Sequence, residues 1–209
     1  MLSITRHIAL DLDEVLCPFA RPFHSFHRGN RRCSSKPMKY YNFARHYGMS
    51  DHQSKLEVAS FYNSKECADI TPLEFSQDAV SLLNEQYMLT VVTGRQYYAR
   101  DVTYDFIDKY FHGMFHDVIF TNSFSLNGPE VSKSDVCKDI KAGLLIDDNL
   151  NTCIDVTNEE LDAYLFGDYD WNRGSSKNAY IHIPRISNWE NFIKHQKADI
   201  ATLLNFTDI

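Results

Sequence analysis

Short apolar segments alternate with segments of helical spacing along most of the chain, and this alternation restricts the fold more than any other feature of the sequence. The apolar segments are typical of buried parallel strands and span residues 7–12, 88–92, 117–121, 144–147 and 163–166. Helical spacing is found in residues 74–87, 96–111 and 134–142, and Ser187 with Glu190 fits a capping box for a helix through Leu204. Strands and helices in this order require right-handed crossovers. The sequence therefore predicts an α/β fold, a Rossmann-like three-layer sandwich around a parallel sheet.

The segment between the first strand and the first of these helices has a different character. Residues 17–71 are rich in aromatic, histidine and basic residues and are interrupted by three prolines. Pro72 then precedes the regular alternation. We therefore expect a core formed by residues 1–16 and 72–209, with a small helical cap, residues 17–71, inserted after the first strand.

The formal net charge of −7 conceals an uneven distribution of charge. Residues 15–50 contain no Asp or Glu, whereas the rest of the chain has 14 basic residues against 28 acidic ones. This stretch forms either a solvated face or a surface that attracts an anion. Of the anions, a small phosphate compound is expected more than nucleic acid. The basic residues of this stretch are Arg21, Arg28, Arg31, Arg32, Lys36, Lys39 and Arg45.

No segment of the sequence indicates a membrane or a secreted protein. No apolar run approaches the ~18 residues of a membrane span, and an apolar strand at residue 7 leaves no room for a signal peptide. The cysteines are scattered, odd in number and form no C-x-x-C pair, which is typical of a reducing compartment. We therefore expect a cytoplasmic protein. The cysteines are Cys17, Cys33, Cys67, Cys137 and Cys153.

Polar residues follow the strands at the edge where such sheets bind ligands. In open α/β sheets, ligands lie beyond the carboxyl ends of the strands. We expect the polar side chains at these ends to converge in one cleft. They are Asp11 and Asp13 after the first strand, Thr93, Gly94 and Arg95 after the second, Lys133 just before a helix, and Asp147 and Asp148 after a later strand.

The carboxylates of this set suit a magnesium ion. Asp11 and Asp13 are two residues apart at a strand end, so both side chains can point to the same side. Asp147 or Asp148 brings a third negative group, and which of the two contacts the metal stays open. Oxygen-only clusters of this kind suit Mg²⁺, which completes its shell with waters and a substrate phosphate.

The remaining residues of the set suit a phosphate group. Thr93 offers a hydroxyl, and Gly94 and Arg95 offer backbone amides at a helix start. Lys133 offers a positive charge. Phosphoryl transfer needs mainly positioning and charge neutralisation, and these residues would supply both.

The order DLDEV, VVTGR, lysine and LLIDD resembles the four motifs of the haloacid-dehalogenase superfamily over nearly all of residues 8–166. The resemblance implies that Asp11 is the nucleophile that attacks phosphorus and that Asp13 is the proton donor to the leaving group. It also implies a Mg²⁺ ion bound by Asp11, the backbone of Asp13 and the Asp147–Asp148 pair, with phosphate bound by Thr93, Gly94, Arg95 and Lys133.

Two lysines compete for the role of the motif lysine. Lys138 lies inside a predicted helix, whereas Lys133 lies just before it. The 14-residue step from Lys133 to Asp147 fits the family pattern, so Lys133 is the expected residue.

An insertion directly after the first motif is similar to the cap of the 5'(3')-deoxyribonucleotidase group, whose opening D-x-D-x-V-L-x-x-F is met by residues 11–19. In that group an aromatic residue at the position of Phe19 lines the base pocket. Two positions depart from the pattern of that group: Glu14 replaces the usual Gly, and Cys17-Pro18 replaces the usual Ala-Asp.

From the four motifs and the position of the insertion, we predict a Mg²⁺-dependent phosphatase that acts through an aspartyl-phosphate, with a nucleoside monophosphate as the favoured small-molecule substrate. The alternatives are a phosphosugar phosphatase and a non-catalytic protein that binds phosphate or nucleic acid.

Three further groups of residues have both a functional and a packing interpretation. The first could form a zinc site, although its spacing matches no familiar finger, and consists of Cys17, His24, His27 and Cys33. The second either stacks on a base or forms the core of the cap, and consists of Tyr40, Tyr41, Phe43, Phe61 and Tyr62. Trp171 and Arg173 either edge the pocket or pack within their loop.

Overall fold

The computed structural model describes residues 7–30, 38–173 and 183–195. The strands are β1 (His7–Leu10), β2 (Met88–Thr93), β3 (Asp117–Phe120), β4 (Leu144–Asp147), β5 (Asp162–Phe166) and β6 (Arg185–Ile186). The helices are α1 (Ala20–Asn30), α2 (Phe43–Tyr47), α3 (Asp51–Phe61), α4 (Lys65–Ala68), α5 (Ser76–Asn84), α6 (Arg100–Phe111), α7 (Lys133–Asp139) and α8 (Leu150–Thr157). A 3-10 turn, Tyr97–Ala99, precedes α6. None of the described helices is long and apolar enough to cross a membrane.

The strands form one sheet in the order β3-β2-β1-β4-β5-β6, and every neighbouring pair is parallel. This confirms the predicted Rossmann-like α/β fold. Leu10, the last residue of β1, lies opposite Val91 of β2 and Ile146 of β4. Because the connections leave β1 on one side towards β2 and reach β4 on its other side, the strand order reverses at β1. Crevices at such a reversal are where this class of sheet binds ligands.

The sheet is buried on both faces, as three layers require. Side chains along a strand point alternately to opposite faces. In β1, Ile8 and Leu10 belong to one apolar cluster, whereas Ala9 belongs to a second one with Leu145 and Val156. Near-continuous apolar strands are therefore explained by helices that cover both sides of the sheet.

The helices between β1 and α5 share an aromatic core. The Phe23 ring lies 4.5 Å from Phe43 and 5.5 Å from Phe61, centroid to centroid. These rings belong to the same apolar cluster as Ile8 of the sheet, so the packing of the cap helices is continuous with the packing of the core. Phe61, one of the aromatic residues with two interpretations, is completely buried in this packing, as a core residue would be.

The ends of the inserted segment lie side by side. The Leu73 N–H donates to the Leu16 carbonyl at 2.8 Å, which joins the chain leaving β1 to the chain that enters α5. Boundaries of the cap at residues 17 and 71 stay a prediction, and this hydrogen bond is consistent with them.

Several elements differ from the sequence prediction. β1 ends at Leu10 and α6 begins at Arg100, and α8 and β6 lie in stretches for which no element was predicted. Residues 189–195 are helical, and the Asn188 side chain accepts from the Asn191 N–H at 2.8 Å, so the cap of this helix is one residue later than predicted. The predicted continuation through Leu204 lies outside the described residues.

Candidate active site

Three carboxylates meet at the central edge of the sheet. Asp11 follows β1 directly, and its N–H continues the sheet by donating to the Ile146 carbonyl at 2.9 Å. Asp147 and Asp148 lie at the end of the neighbouring β4. One carboxylate oxygen from each of Asp11, Asp147 and Asp148 lies within 4.8 Å of the others, and all three residues are buried. The fold therefore brings Asp11 together with Asp147 and Asp148, as predicted from the sequence.

Lys133 joins two of these carboxylates. Its Nζ lies 2.8 Å from Oδ1 of Asp11 and 2.6 Å from Oδ2 of Asp147. The lysine is held at the start of α7, where the Ser132 side chain caps the helix. The rival Lys138 lies on the surface of the same helix and pairs with Glu159 at 3.0 Å, so the geometry favours Lys133.

Burial changes the acid–base properties of this cluster. Burial raises the pKa of Asp11 from 3.8 to about 7, while the charge of Lys133 opposes this rise and Asp147 adds to it. Burial and the neighbouring carboxylates also raise the pKa of Asp148 well above its usual range, against a hydrogen bond from Trp171. Burial alone would lower the pKa of Lys133, but its two carboxylate partners raise it far above the usual value.

The donor set fits a hard divalent cation. Three buried carboxylates and one lysine leave negative charge in excess, and buried charge of one sign is costly unless it is neutralised. Oxygen ligands at this spacing suit Mg²⁺. Within residues 7–30, 38–173 and 183–195, no other group of three His, Cys, Asp or Glu side chains is close enough to share an ion.

Asp13 is turned away from this cluster. Its carboxylate accepts from Arg95, with Nη2 at 2.7 Å from Oδ1 and Nε at 3.1 Å from Oδ2. The guanidinium is buried and also donates to the Thr103 hydroxyl at 3.0 Å. Burial would lower the pKa of Arg95, but Asp13 raises it further above its already high value. The charge of Arg95 is therefore committed to Asp13, and the predicted phosphate contact, which involves its backbone amide, stays a prediction.

The segment after β2 is compact around Thr93. The Thr93 side chain is buried and its hydroxyl accepts from the Arg95 N–H at 3.2 Å. Gly94 borders the cavity described below, and a Cβ built there would lie 3.6 Å from Ser123. A role of these groups in phosphate binding stays a prediction.

A cavity of about 250 Å³ separates this edge from the cap. Asp11, Asp13 and Asp148 lie on its core side, and α3, the first residue of α2 and the residues before it lie on its cap side. Lys55 of α3 lines the cavity and donates from Nζ to the Ser125 carbonyl of the core at 2.9 Å. The other lining residues are Glu14, Phe19, Ala20, Met38, Tyr41, Asn42, Phe43, Asp51, Ser54, Val58, Tyr62, Gly94, Arg95, Gln96, Ser123, Phe124 and Trp171.

Phe19 borders the cavity with only a small part of its surface. The residue is 6% exposed, and its ring lies 5.0 Å from Phe61, 5.8 Å from Tyr62 and 5.9 Å from Phe43. The arginine Arg95 lies above the same ring at 6.0 Å. Phe19 is thus a packed member of the cavity wall, and its contact with a substrate base stays a prediction.

Sequence reasoning missed the role of Glu14. This residue has a positive φ of 64°, the region that favours glycine, and its Oε1 accepts from the N–H groups of Phe19 and Ala20 at 2.8 and 2.6 Å. The carboxylate therefore satisfies free amides at the start of α1. A glutamate five residues before Phe19 is not a standard capping position, so the sequence carried no signal for it.

The loop after β5 also contributes residues to the site. The Trp171 indole N–H donates to Oδ2 of Asp148 at 2.7 Å, and Trp171 lines the cavity. The Asn172 amide donates to the carbonyls of Asp148 and Phe166, both at 2.9 Å. Arg173 instead pairs with surface carboxylates, Asp168 among them, and does not line the cavity. The aromatic residue thus edges the pocket, and the arginine packs within the loop.

The zinc interpretation has no support in the described residues. His24 Nδ1 lies 2.9 Å from the Tyr47 hydroxyl, and His27 forms an ion pair with Glu57 at 2.5 Å. The Cys17 thiol is directed towards the Leu12 carbonyl, and Cys33 lies outside the described residues.

The basic side chains of residues 15–50 that the structure describes do not line the cavity. Arg21, Arg28, Lys39 and Arg45 are exposed, and none of them lines the cavity. Arg31, Arg32 and Lys36 lie outside the described residues. Of the two interpretations of this stretch, the solvated face is the one that the described residues fit.

Solved structures of haloacid-dehalogenase type share this architecture. A predicted phosphatase from Clostridium acetobutylicum has a TM-score of 0.67 and 13% sequence identity, over 95% of this chain and 100% of that one. A haloacid dehalogenase-like hydrolase from Streptococcus pneumoniae has a TM-score of 0.61 and 18% identity, over 94% and 100% of the two chains. The HAD-hydrolase YfnB of Bacillus subtilis, solved with bound magnesium, has a TM-score of 0.61 and 14% identity, over 94% and 99%. No protein-family model and no curated protein sequence matches the chain, so these similarities show the fold.

Proposed function

Because the chain has the haloacid-dehalogenase fold, we propose that it is a Mg²⁺-dependent phosphatase that hydrolyses a phosphate monoester through an aspartyl-phosphate. The observation that carries this proposal is the cluster of Asp11, Asp147 and Asp148 around Lys133 at the reversal point of the sheet. This cluster has the acidic groups, the cation and the burial that phosphoryl transfer uses.

In the proposed reaction, a carboxylate oxygen of Asp11 forms a bond to phosphorus while the bond to the leaving oxygen breaks. Lys133 holds the Asp11 carboxylate in place at 2.8 Å and compensates charge on the phosphate. A bound Mg²⁺, held by Asp11, Asp147 or Asp148 and the Asp13 backbone, would screen the anionic substrate from the anionic nucleophile. Water then attacks the aspartyl-phosphate, releases phosphate and regenerates Asp11.

Asp13 is the proposed proton carrier of both steps. It would protonate the leaving alcohol in the first step and accept a proton from water in the second. Asp13 lines the cavity two residues after Asp11 and lies outside the metal cluster, and its side chain is 24% exposed. Proton donation requires Asp13 to turn from Arg95 towards the leaving oxygen.

The proposed substrate is a nucleoside monophosphate. The cap wall of the cavity contains aromatic rings from Phe19, Phe43 and Tyr62, and an aromatic surface can stack on a base. The polar side chains of Ser54 and Asn42 border the same space and can bind hydroxyl or ring groups. A cavity of about 250 Å³ would hold a leaving group of this kind near Asp11.

The test is a substrate panel of nucleoside monophosphates, phosphosugars and phenyl phosphate, assayed as released phosphate with and without Mg²⁺. We expect turnover that EDTA abolishes and that excess Mg²⁺ restores, with the highest kcat/KM on a nucleotide. Higher kcat/KM on phosphosugars would replace the nucleotide by the phosphosugar alternative. No turnover on any ester, together with salt-dependent binding of RNA or DNA, would favour the non-catalytic alternative.

A further inference from the structure

The loop after β5 is built so that its side chains converge on one residue of the acidic cluster. Trp171 reaches the Asp148 side chain, and Asn172 reaches the Asp148 main chain. The two hydrogen bonds fix the side chain and the main chain of Asp148, although Trp171 and Asn172 lie 23 and 24 positions further along the chain. Neither hydrogen bond takes part in the proposed reaction.

The loop is held rigidly enough to act as a support. Gly167 turns the chain at φ 77°, and a Cβ at this position would lie 2.2 Å from the Tyr169 ring, so the turn accepts only glycine. The buried Asn172 side chain also accepts from the Tyr169 N–H at 3.0 Å and from Arg185 at 2.9 Å. The Trp171 ring stacks on Tyr169 with centroids 4.6 Å apart and planes 7° apart. The stack on Tyr169 therefore fixes one face of the indole, and the hydrogen bond to Asp148 fixes its N–H edge.

An indole N–H is a suitable group for holding a metal ligand. It is a neutral donor with no acceptor capacity, so it orients a carboxylate without cancelling its charge. Lys133, which holds Asp11 and Asp147, brings a positive charge that competes with a cation. Asp148 is the member of the cluster that has one oxygen fixed by a neutral donor rather than by a cation.

We propose that Trp171 is a positioning residue of the metal site: its N–H holds Oδ2 of Asp148 and thereby fixes the orientation of a carboxylate that belongs to the cluster with Asp11 and Asp147. This inference rests on the proposed function, which places the cation in that cluster. Hydrogen bonds behind a metal ligand typically change metal affinity 10–100-fold, and the distance of 2.7 Å is short enough for such an effect.

The experiment measures metal binding directly, without substrate. Mn²⁺ has the same preference for oxygen ligands as Mg²⁺, and free Mn²⁺ is counted by electron paramagnetic resonance during titration of the full chain. We expect Trp171→Phe, which keeps the ring stack and removes the N–H, to bind Mn²⁺ roughly 10–100-fold more weakly than the parent. Its melting temperature without metal should stay close to that of the parent.

Trp189→Phe is the matched control. Trp189 is the other tryptophan of the chain, is buried in the core and donates its N–H to the Val15 carbonyl rather than to a carboxylate. This variant should lose thermal stability but keep the Mn²⁺ affinity. Its remaining tryptophan fluorescence should still respond to Mg²⁺, whereas the fluorescence of Trp171→Phe should not.

A second comparison tests whether Trp171 acts through Asp148. Asp148→Asn should weaken Mn²⁺ binding, and adding Trp171→Phe to it should cause no further loss. Parent-like affinity of Trp171→Phe, or an equal loss in both backgrounds, would overturn the inference and leave the proposed phosphatase intact. A parent chain that binds no Mn²⁺ or Mg²⁺ at millimolar concentration would overturn the metal-dependent function itself, together with this inference.

Discussion

The two walls of the cavity are built on different principles. On the core wall, Asp11 lines the cavity directly after β1, and Lys133, the first residue of α7, holds it together with Asp147 by ion pairs of 2.8 and 2.6 Å. On the cap wall, Phe19 and Phe43 are held by ring contacts of about 6 Å with each other and with further aromatic residues. Ion pairs between charged side chains hold the core wall in place, whereas packing between aromatic rings holds the cap wall in place.

Under the proposed function, residues of the core wall carry out the reaction, and residues of the cap wall select the substrate. A residue of the core wall can be replaced by one of equal shape and still lose its function, because the charge is lost. A residue of the cap wall keeps much of its function if its volume and apolar character are kept. Changes on the core wall should therefore alter kcat for every substrate, whereas changes on the cap wall should alter the ratio between substrates.

The largest effect is expected from Asp11→Asn. The substitution keeps the shape of the side chain and removes the attacking charge, so kcat should fall by roughly 10⁴-fold on all phosphate esters. The matched control is Asp51→Asn, the same change at a carboxylate on the cap side of the cavity, which should keep kcat within a few-fold. Parent-like kcat in Asp11→Asn would show that another residue is the nucleophile.

Replacing Lys133 should have the next largest effect. Lys133→Met removes the cation between Asp11 and Asp147, and the loss of one preorganised charge typically costs 10²–10³-fold in kcat. Lys138→Met on the surface of the same helix is the control and should be nearly silent. Equal kcat values in the two variants would remove Lys133 from the reaction.

A change on the cap wall should alter the choice of substrate by a smaller factor. Phe19→Leu keeps an apolar side chain but removes a ring, so the kcat/KM ratio of a nucleotide to a phosphosugar should fall by about 5- to 10-fold, in proportion to a stacking energy of ~1 kcal/mol. Leucine is preferable to alanine here because Phe19 is packed against other rings, and a cavity would cost stability.

Phe23→Leu is the control for this prediction. Phe23 packs in the same aromatic group, 6.0 Å from Phe19, but does not line the cavity. It should lower the melting temperature and leave the substrate ratio unchanged. A ratio that falls equally in both variants would assign the effect to general loosening of the cap.

The smallest expected effect is on the pH dependence of the melting temperature, to which the two walls should contribute differently. In the folded, metal-free chain Asp11 keeps its proton up to about pH 7, whereas the unfolded chain loses it near pH 4. Between these values the folded state binds more protons, so this group makes the chain less stable as pH rises. In EDTA, the melting temperature should fall between pH 5 and pH 7.5, and Asp11→Asn should reduce that slope. Phe19→Leu should lower the melting temperature without changing the slope, and an unchanged slope in Asp11→Asn would contradict the assignment.

The core wall could be predicted from the sequence because its residues obey local rules. Asp11, Lys133 and Asp147 stand directly at element ends, and a parallel sheet brings the carboxyl ends of its strands to one edge. The strands themselves were visible as apolar runs with nearly correct bounds. The parallel architecture and the convergence of these charges therefore followed from pattern alone.

Contacts that depend on distant residues were not predictable in the same way. The Arg95 side chain, for which the sequence predicted no partner, pairs with Asp13, 82 positions away. Tyr169 donates to the Glu14 carbonyl across 155 positions, and Trp171 reaches Asp148 across 23. Each of these pairs results from how loops pack on the finished sheet, and no spacing in the sequence encodes it.

The central position of β1 has a consequence for how activity arises during folding. The strand that carries Asp11 is the first to be synthesised, yet its neighbours begin at Met88 and Leu144. Closing such long loops costs chain entropy, so pairing across the middle of the sheet is slow compared with local helix formation. A nascent chain that lacks β4 has no partner for one side of β1 and no Asp147 or Asp148. The proposed activity should therefore return late in refolding, after the helical signal, and a nascent chain should form the complete acidic cluster only after residues 144–148 have left the ribosome.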